Sequence, residues 1–384
     1  MSLKTKAFIL IAGCVFIFSC GPKPLAPKAA LDTPSHHVSS GVKLLNANKI
    51  EAAFREFDRA RELDPKYSPA YVGLGLVHGI RSDYKNGLGQ LKKAEQYAQD
   101  KAQESAVYVG YMRLYIMGNQ KIGGDWLEQV KSHFDKAILA TPDLAGPYYY
   151  MGMAHKEALQ FSDAKNQFRK VIDLNRDHVA AADQEWKMIQ KIERAMPGSE
   201  IGKKIALMAE ITRADVAALF IEELKVDQLF SAKRPAKFNT SFQSPEKSLM
   251  PQAQEKNPPV TDAADHVLSA DIHAALEIGI KGLEAFPDHT FKPDQMITRA
   301  GFAMMIEDII IKTTGDEKLA TKFIGGSSPF PDLRNDLPYF NAAVLCVTRG
   351  IMEIKDFKTG EFDAAGPVSG ADALLSIRTL KNQL

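Results

Sequence analysis

Three short segments carry residue types that could bind a charged ligand. Glu210-Ile211-Thr212-Arg213-Ala214-Asp215-Val216-Ala217 recurs as Met296-Ile297-Thr298-Arg299-Ala300-Gly301-Phe302-Ala303, and a weaker copy is Pro367-Val368-Ser369-Gly370-Ala371-Asp372-Ala373-Leu374. Thr212 with Asp215, and Ser369 with Asp372, have the spacing of a helix N-cap and its reciprocal acid. The first turn of a helix presents unpaired N–H groups and partial positive charge, to which Arg213 or Arg299 would add a full charge. Each such corner suits an anion, and three together would make a pocket for a carboxylate or an acidic sugar. Thr212, Arg213, Thr298 and Arg299 are therefore the candidate ligand-binding residues.

No comparable constellation supports catalysis. The chain has no phosphate loop, no G-x-S-x-G elbow, no H-E-x-x-H and no paired cysteines at zinc spacing, so no catalytic residue, metal ligand or cofactor is expected. Cys14 and Cys20 lie within the first twenty residues and Cys346 stands alone thereafter, which leaves no intramolecular disulfide framework. Cys346, inside the apolar run 342–347, reads as a small buried core residue. With 48 Lys+Arg against 47 Asp+Glu in 384 residues, the broad basic face of a nucleic-acid binder is also missing, and no nucleic-acid partner is expected.

The first nineteen residues read as an export signal. Two lysines in residues 1–6 precede an apolar run over residues 7–18, shorter than the ~20 residues of a membrane span. Ile17-Phe18-Ser19-Cys20 resembles the lipobox of bacterial lipoproteins, in which signal peptidase II cuts before a cysteine that becomes lipid-modified. Ile11-Ala12-Gly13-Cys14 also fits, but would leave residues 15–18 as an apolar tail, so Cys20 is the expected attachment point. Residues 20–34, beginning Cys20-Gly21-Pro22-Lys23-Pro24, are a semi-extended tether. The resemblance implies a lipid-anchored envelope protein, and Gly21 after the cysteine implies the outer membrane, facing the periplasm.

From residue 35 to 197 the pattern is helical with a period of 34: Gly41 and Gly75, Phe57 and Leu91, Ala60 and Ala94, Phe134 and Phe168, Ala137 and Val171. Ala53, Phe57 and Ala60 share one helix face, and Leu63-Asp64-Pro65 ends that helix. Tyr71-Val72-Gly73-Leu74-Gly75 and Tyr148-Tyr149-Tyr150-Met151-Gly152 resemble the opening of tetratricopeptide (TPR) repeats. The third unit is longer, 24 residues from Gly110 to Phe134 against 16 from Gly41 to Phe57, and the extra length is expected in the turn 117–125. The resemblance implies a concave groove for a protein partner of unknown identity, with Tyr71, His78, Tyr148, Tyr149 and His155 as candidate lining residues. His78 and His155 occupy equivalent positions, which favours packing between helices over a metal pair.

Residues 231–259 hold five prolines among scattered Lys, Gln and Ser, the composition of a disordered linker. Beyond it, Gly279 to Thr298 and Gly350 to Ser369 are both 19 residues, and Phe291 to Thr298 and Phe362 to Ser369 are both 7. Val260-Thr261-Asp262, His266, Phe286-Pro287-Asp288 and Ile297-Thr298-Arg299-Ala300 resemble S-layer homology (SLH) repeats. Phe330-Pro331-Asp332, Gly360-Glu361-Phe362 and Ser369 repeat the design. The units are a partial one at 199–230, one at 260–312 and a degenerate one at 326–384, which has Gly370 where the family places Arg; Val267 stands in for an expected tryptophan. Asp262 and Asp332 are expected to fix turns. The resemblance implies attachment to pyruvylated wall polymers or to peptidoglycan.

The expected fold class is thus mainly α, a TPR α-solenoid followed by a mostly helical SLH-repeat domain. The expected function is a non-enzymatic cell-envelope lipoprotein whose SLH region binds cell wall glycan or peptidoglycan while the TPR groove recruits a protein. The alternative is an outer-membrane assembly or pilotin-type lipoprotein in which the SLH region is only structural.

Overall fold

The computed structural model describes residues 24–233 and 260–384, so the signal segment, Cys20 and residues 234–259 of the linker lie outside it. The described chain is mainly α-helical and contains no strand; extended segments pair only at two isolated bridges, Thr212 with Met296 and Thr298 with Pro367. No described helix is long and apolar enough to cross a membrane. The chain divides into two compact units, Met1–Met151 and Gly152–Leu384.

The first unit is a stack of antiparallel helix pairs: α1 (Pro34–Asn46) with α2 (Ile50–Leu63), α3 (Ser68–Ile80) with α4 (Tyr84–Tyr97), and α5 (Lys101–Gly118) with α6 (Trp126–Ala140). Helix α7 (Ala145–Glu157) contains the division between the units. Polar side chains start several of these helices: Thr33, Asp83, Asp100 and Asp125 each accept a hydrogen bond from a first-turn N–H. The period of 34 has a steric origin. A Cβ on Gly41 would come 2.6 Å from the Phe57 ring, so the ring occupies the space that the small residue leaves. Hydroxyls tie the two helices of a pair together, Ser68 of α3 donating to the Ala94 carbonyl of α4 at 2.7 Å and Ser105 of α5 to that of Ala137 in α6 at 3.2 Å. The extra residues of the third pair form a longer α5, which runs to Gly118, and a 3-10 turn over Asn119–Ile122.

The second unit begins with the rest of α7 and the pair α8 (Phe161–Leu174) and α9 (Val179–Ala195), whose Phe168 fills the space beside Gly152. Then come α10 (Glu200–Ala206) and α11 (Arg213–Ala218), the latter continued by a π-helical turn, Leu219–Leu224. Helix α12 (Val226–Lys233) takes the first three residues of the expected linker into helix. After the undescribed segment follow α13 (Ser269–Ile278), α14 (Arg299–Thr314), α15 (Phe340–Thr348) and α16 (Gly370–Gln383). Helix α9 packs on α16, which also receives α10.

The three repeated helix starts, at Arg213, Arg299 and Gly370, are joined in a cyclic pattern, the one before residues 234–259 to the two after them. The N–H groups of Arg213 and Ala214 donate to the carbonyls of Gln295 and Pro293, and those of Arg299 and Ala300 to Gly366 and Ala364. The third link returns to the first unit, Gly370 N–H donating to the Met208 carbonyl and Ile211 N–H to that of Val368. Each helix start is thereby seated on the segment that precedes the next helix start.

Asp262 and Asp332 hold equivalent turns. Asp262 accepts from the N–H groups of Phe291 (2.7 Å) and Lys292 (2.8 Å), Asp332 from those of Phe362 (2.9 Å) and Asp363 (2.7 Å). Cys346 is fully buried with its Sγ 3.6 Å from the Ala303 carbonyl, and burial pushes the thiol pKa up.

Candidate functional site: a groove beside Arg299

The helix starts carry the expected caps. Thr212 and Asp215 exchange hydrogen bonds in a complete capping box, the Thr298 hydroxyl accepts from Gly301 N–H at 3.1 Å, and that of Ser369 from Asp372 N–H at 3.2 Å. The anion corner expected at each start is corrected by the structure. The first-turn N–H groups that would meet an anion already donate to carbonyls of the neighbouring unit, and Thr212 N–H donates to Asp215.

The two arginines are also built in rather than displayed. Arg213 is 7% exposed and Arg299 6%. Arg213 donates from Nε to the Phe291 carbonyl (2.8 Å), from Nη1 to Gly282 (2.6 Å) and from Nη2 to Glu284 (3.0 Å). Its guanidinium lies 4.8 Å and 4.7 Å from the ring centres of Phe286 and Phe291. Arg299 repeats the arrangement one unit on, donating to Phe362 (2.7 Å) and Glu353 (2.5 Å) and lying 4.8 Å from the Phe362 ring centre. Burial lowers the pKa of both from the ordinary arginine value.

One difference separates the two. The carbonyl equivalent to Glu284 belongs to Lys355 and makes no bond to Arg299, so Nη1 of Arg299 has no partner among the described residues. Arg299 lines a groove of about 450 Å³, within the range of small-ligand sites. Its charged neighbours are Lys191, Arg194 and Lys355 against Glu353 and Asp372, so with Arg299 four basic side chains face two acidic ones. Phe357, 76% exposed, offers an aromatic face; Ser376 and Thr379 also line the groove, the Thr379 hydroxyl donating to the Leu375 carbonyl at 3.0 Å. Asp372 receives Ser369 Oγ at 2.6 Å and Lys191 Nζ at 2.6 Å. Burial opposes its charge, but these two bonds outweigh it and keep the carboxyl below the usual range.

The equivalent groove beside Arg213 has a similar volume, about 450 Å³, but a different lining. Gly301 stands where Asp372 would be, Met304 and Met305 face it, and Arg213 has no guanidinium nitrogen left over. Of the two candidate arginines only Arg299 keeps a guanidinium nitrogen for a ligand; Thr212 and Thr298 serve as caps. Lys191, Arg194, Lys355 and Phe357 were not singled out from sequence, because nothing local to them marks a site.

In the helix pairs, most candidate groove residues prove to close turns. Tyr71, 5% exposed, donates its hydroxyl to the Pro65 carbonyl at 2.7 Å, and Tyr148 donates to Pro142 at 3.3 Å. His78 Nδ1 lies 3.2 Å from Asp83, and His155 Nδ1 lies 2.7 Å from Gln160, each five residues on. Tyr71 and His155 are too buried to line a groove, and the two histidines fix the turn between helices. Tyr149 packs edge-on against Tyr150, their ring centres 5.2 Å apart. The sequence reading also missed an aromatic cluster in which Tyr108, Tyr111 and Tyr115 of α5 stack around His133 at 6.0, 4.4 and 5.9 Å. His133 Nδ1 is buried without a partner, and burial, aided by Lys136, lowers the imidazole pKa to about 4.

No family model matches the chain. Over 115 residues the chain is 33% identical to Cell surface glycoprotein 1 of Acetivibrio thermocellus, a match covering 29% of this chain and 4% of that much longer protein. Among solved structures it is similar to YrrB, described as a TPR protein with an unusual peptide-binding site, at 18% identity and a TM-score of 0.19, covering 40% of this chain and 92% of that one.

Proposed function

We propose that this chain is a non-enzymatic scaffold of the cell envelope, whose second unit grips an acidic glycan of the wall and whose helix pairs recruit a protein partner. The observation that carries the reading is the groove beside Arg299, where a buried guanidinium keeps one donor within a net positive wall bearing an exposed aromatic face. An aromatic ring beside a fixed cation suits a sugar that carries a carboxylate. Similarity over a short stretch to a cell surface glycoprotein points the same way. Lipid attachment at Cys20 would place the chain at the outer membrane facing the periplasm, and mass spectrometry of the mature N-terminus tests this. An unmodified terminus elsewhere than Cys20 sinks the anchor.

The glycan reading is tested by sedimentation of the protein with purified wall sacculi. Lys355 and Phe357 are exposed, so changing them leaves the fold alone. Lys355→Glu with Phe357→Ala is expected to reduce the sedimented fraction about fivefold at unchanged melting temperature. Failure of the unaltered protein to sediment rejects the reading.

The structural-only alternative has one observation in its favour, the complete commitment of Arg213 to backbone carbonyls. It requires that sedimentation be absent or indifferent to changes at the Arg299 groove.

A further inference from the structure

One wall of the Arg299 groove comes from outside the SLH-like units. It is α9, the helix that closes the pair α8 and α9, and it carries Lys191 and Arg194 one turn apart on one face. Lys191 reaches across to Asp372 near the start of α16. Arg194 is exposed and makes no hydrogen bond or ion pair among the described residues. Lys191 and Asp372 therefore balance one another, and Arg194, Lys355 and Arg299 remain against the one carboxylate of Glu353, an excess of two positive charges. A ligand with a single negative charge meets the need of only one of these. Rim ion pairs of this kind act on charge discrimination more than on total affinity.

Resting on the glycan reading above, we propose that Lys191 and Arg194 make this groove a site for two anions. One acidic group of the saccharide meets Nη1 of Arg299. A second is received by Arg194 together with Lys191, whose bond to Asp372 is exchanged for one to the ligand. Helix α9 thus sets the charge of the ligand, and the specificity of the site depends on a helix that belongs to the helical-pair pattern rather than to the units forming the rest of the groove.

Calorimetric titration of the full chain with N-acetylglucosamine, N-acetylmuramic acid and N-acetylmuramic acid 6-phosphate tests this, since the three probes share a sugar and differ in charge. The phosphorylated acid is expected to bind roughly tenfold more tightly than the monocarboxylate, and the neutral sugar most weakly. Lys191→Met with Arg194→Met should bring the two acids to within about twofold of one another. Arg194→Glu alone, at an exposed position that folding does not depend on, should abolish the preference. Equal binding of the two acids by the unaltered protein, or a tenfold preference that survives both variants, overturns the inference while the glycan reading stands. If the unaltered protein binds neither acid and does not sediment with sacculi, the glycan reading falls and the inference falls with it.

Discussion

At the scale of single side chains, the arginines show how a charge can be recruited into a fold instead of a ligand site. Arg213 satisfies three carbonyls and two aromatic faces, Arg299 two carbonyls and one face. Removing a charged donor leaves buried acceptors unpaired, at about 1–3 kcal/mol each. Arg213→Met should therefore cost the second unit about 3 kcal/mol or more, and Arg299→Met less, as read by thermal unfolding; the reverse order would contradict this account. The helix caps were legible because both partners lie three residues apart, as with Thr212 and Asp215. The destination of Arg213 was not, since its carbonyl partners lie 69 to 78 residues downstream.

His133 makes a prediction of the opposite electrostatic kind. Its pKa of about 4 lies below the ordinary histidine value, so between these limits the unfolded chain binds a proton that the folded chain refuses. The first unit should lose stability as pH falls from about 6.5 toward 4, by about 2 kcal/mol after allowance for solvent screening of the ring. Denaturant titration at both ends of that window should show the loss, and His133→Phe, which keeps the aromatic stack, should remove this part of it. An unchanged pH dependence in His133→Phe would rule the account out.

At the scale of elements, Gly370 explains a departure that looked like degeneration. A Cβ there would overlap the Ile205 carbonyl oxygen at the end of α10. The first of the three sequence repeats has α10 where the other two have the turn that receives an arginine, so an Arg at 370 would have no room. Gly370→Ala should destabilise the second unit by about 1–3 kcal/mol, through displacement of α10 from α16, measurable as faster amide exchange in both helices. Unchanged exchange in α10 would count against the close approach. The small residue was visible in the sequence, but its reason was not, because the neighbour that excludes a side chain lies 165 positions upstream. The 34-residue helix pairs were more legible, since Phe57 against Gly41 is a contact between adjacent helices that repeats along the chain.

At the scale of the molecule, the boundary between units does not follow the boundary between repeat types. Helices α8 and α9 match the helical-pair pattern, yet they belong to the same compact unit as the three linked helix starts. Ile189, Ile192 and Ala195 of α9 and Ile377 and Leu380 of α16 are all buried, and α9 packs on α16. A fragment of residues 199–384 should therefore expose the α16 face and aggregate, whereas residues 143–384 should remain soluble and cooperative in thermal unfolding. Equal behaviour of the two fragments would show that α9 is dispensable. Sequence divided the chain near residue 198 because helix periodicity changes there, while burial of one face against a distant helix leaves no local trace.

The cyclic seating of the three helix starts has a consequence for covalent continuity. The first of these helix starts lies before residues 234–259 and the other two after them, yet the links at Thr212–Met296 and Met208–Gly370 bind them by backbone hydrogen bonds on both sides. Scission within 234–259 would then leave a noncovalent heterodimer rather than two separate pieces. Separately expressed polypeptides 1–233 and 260–384 should complement one another and co-elute, and the reconstituted pair should regain the groove beside Arg299, whose walls are drawn from both.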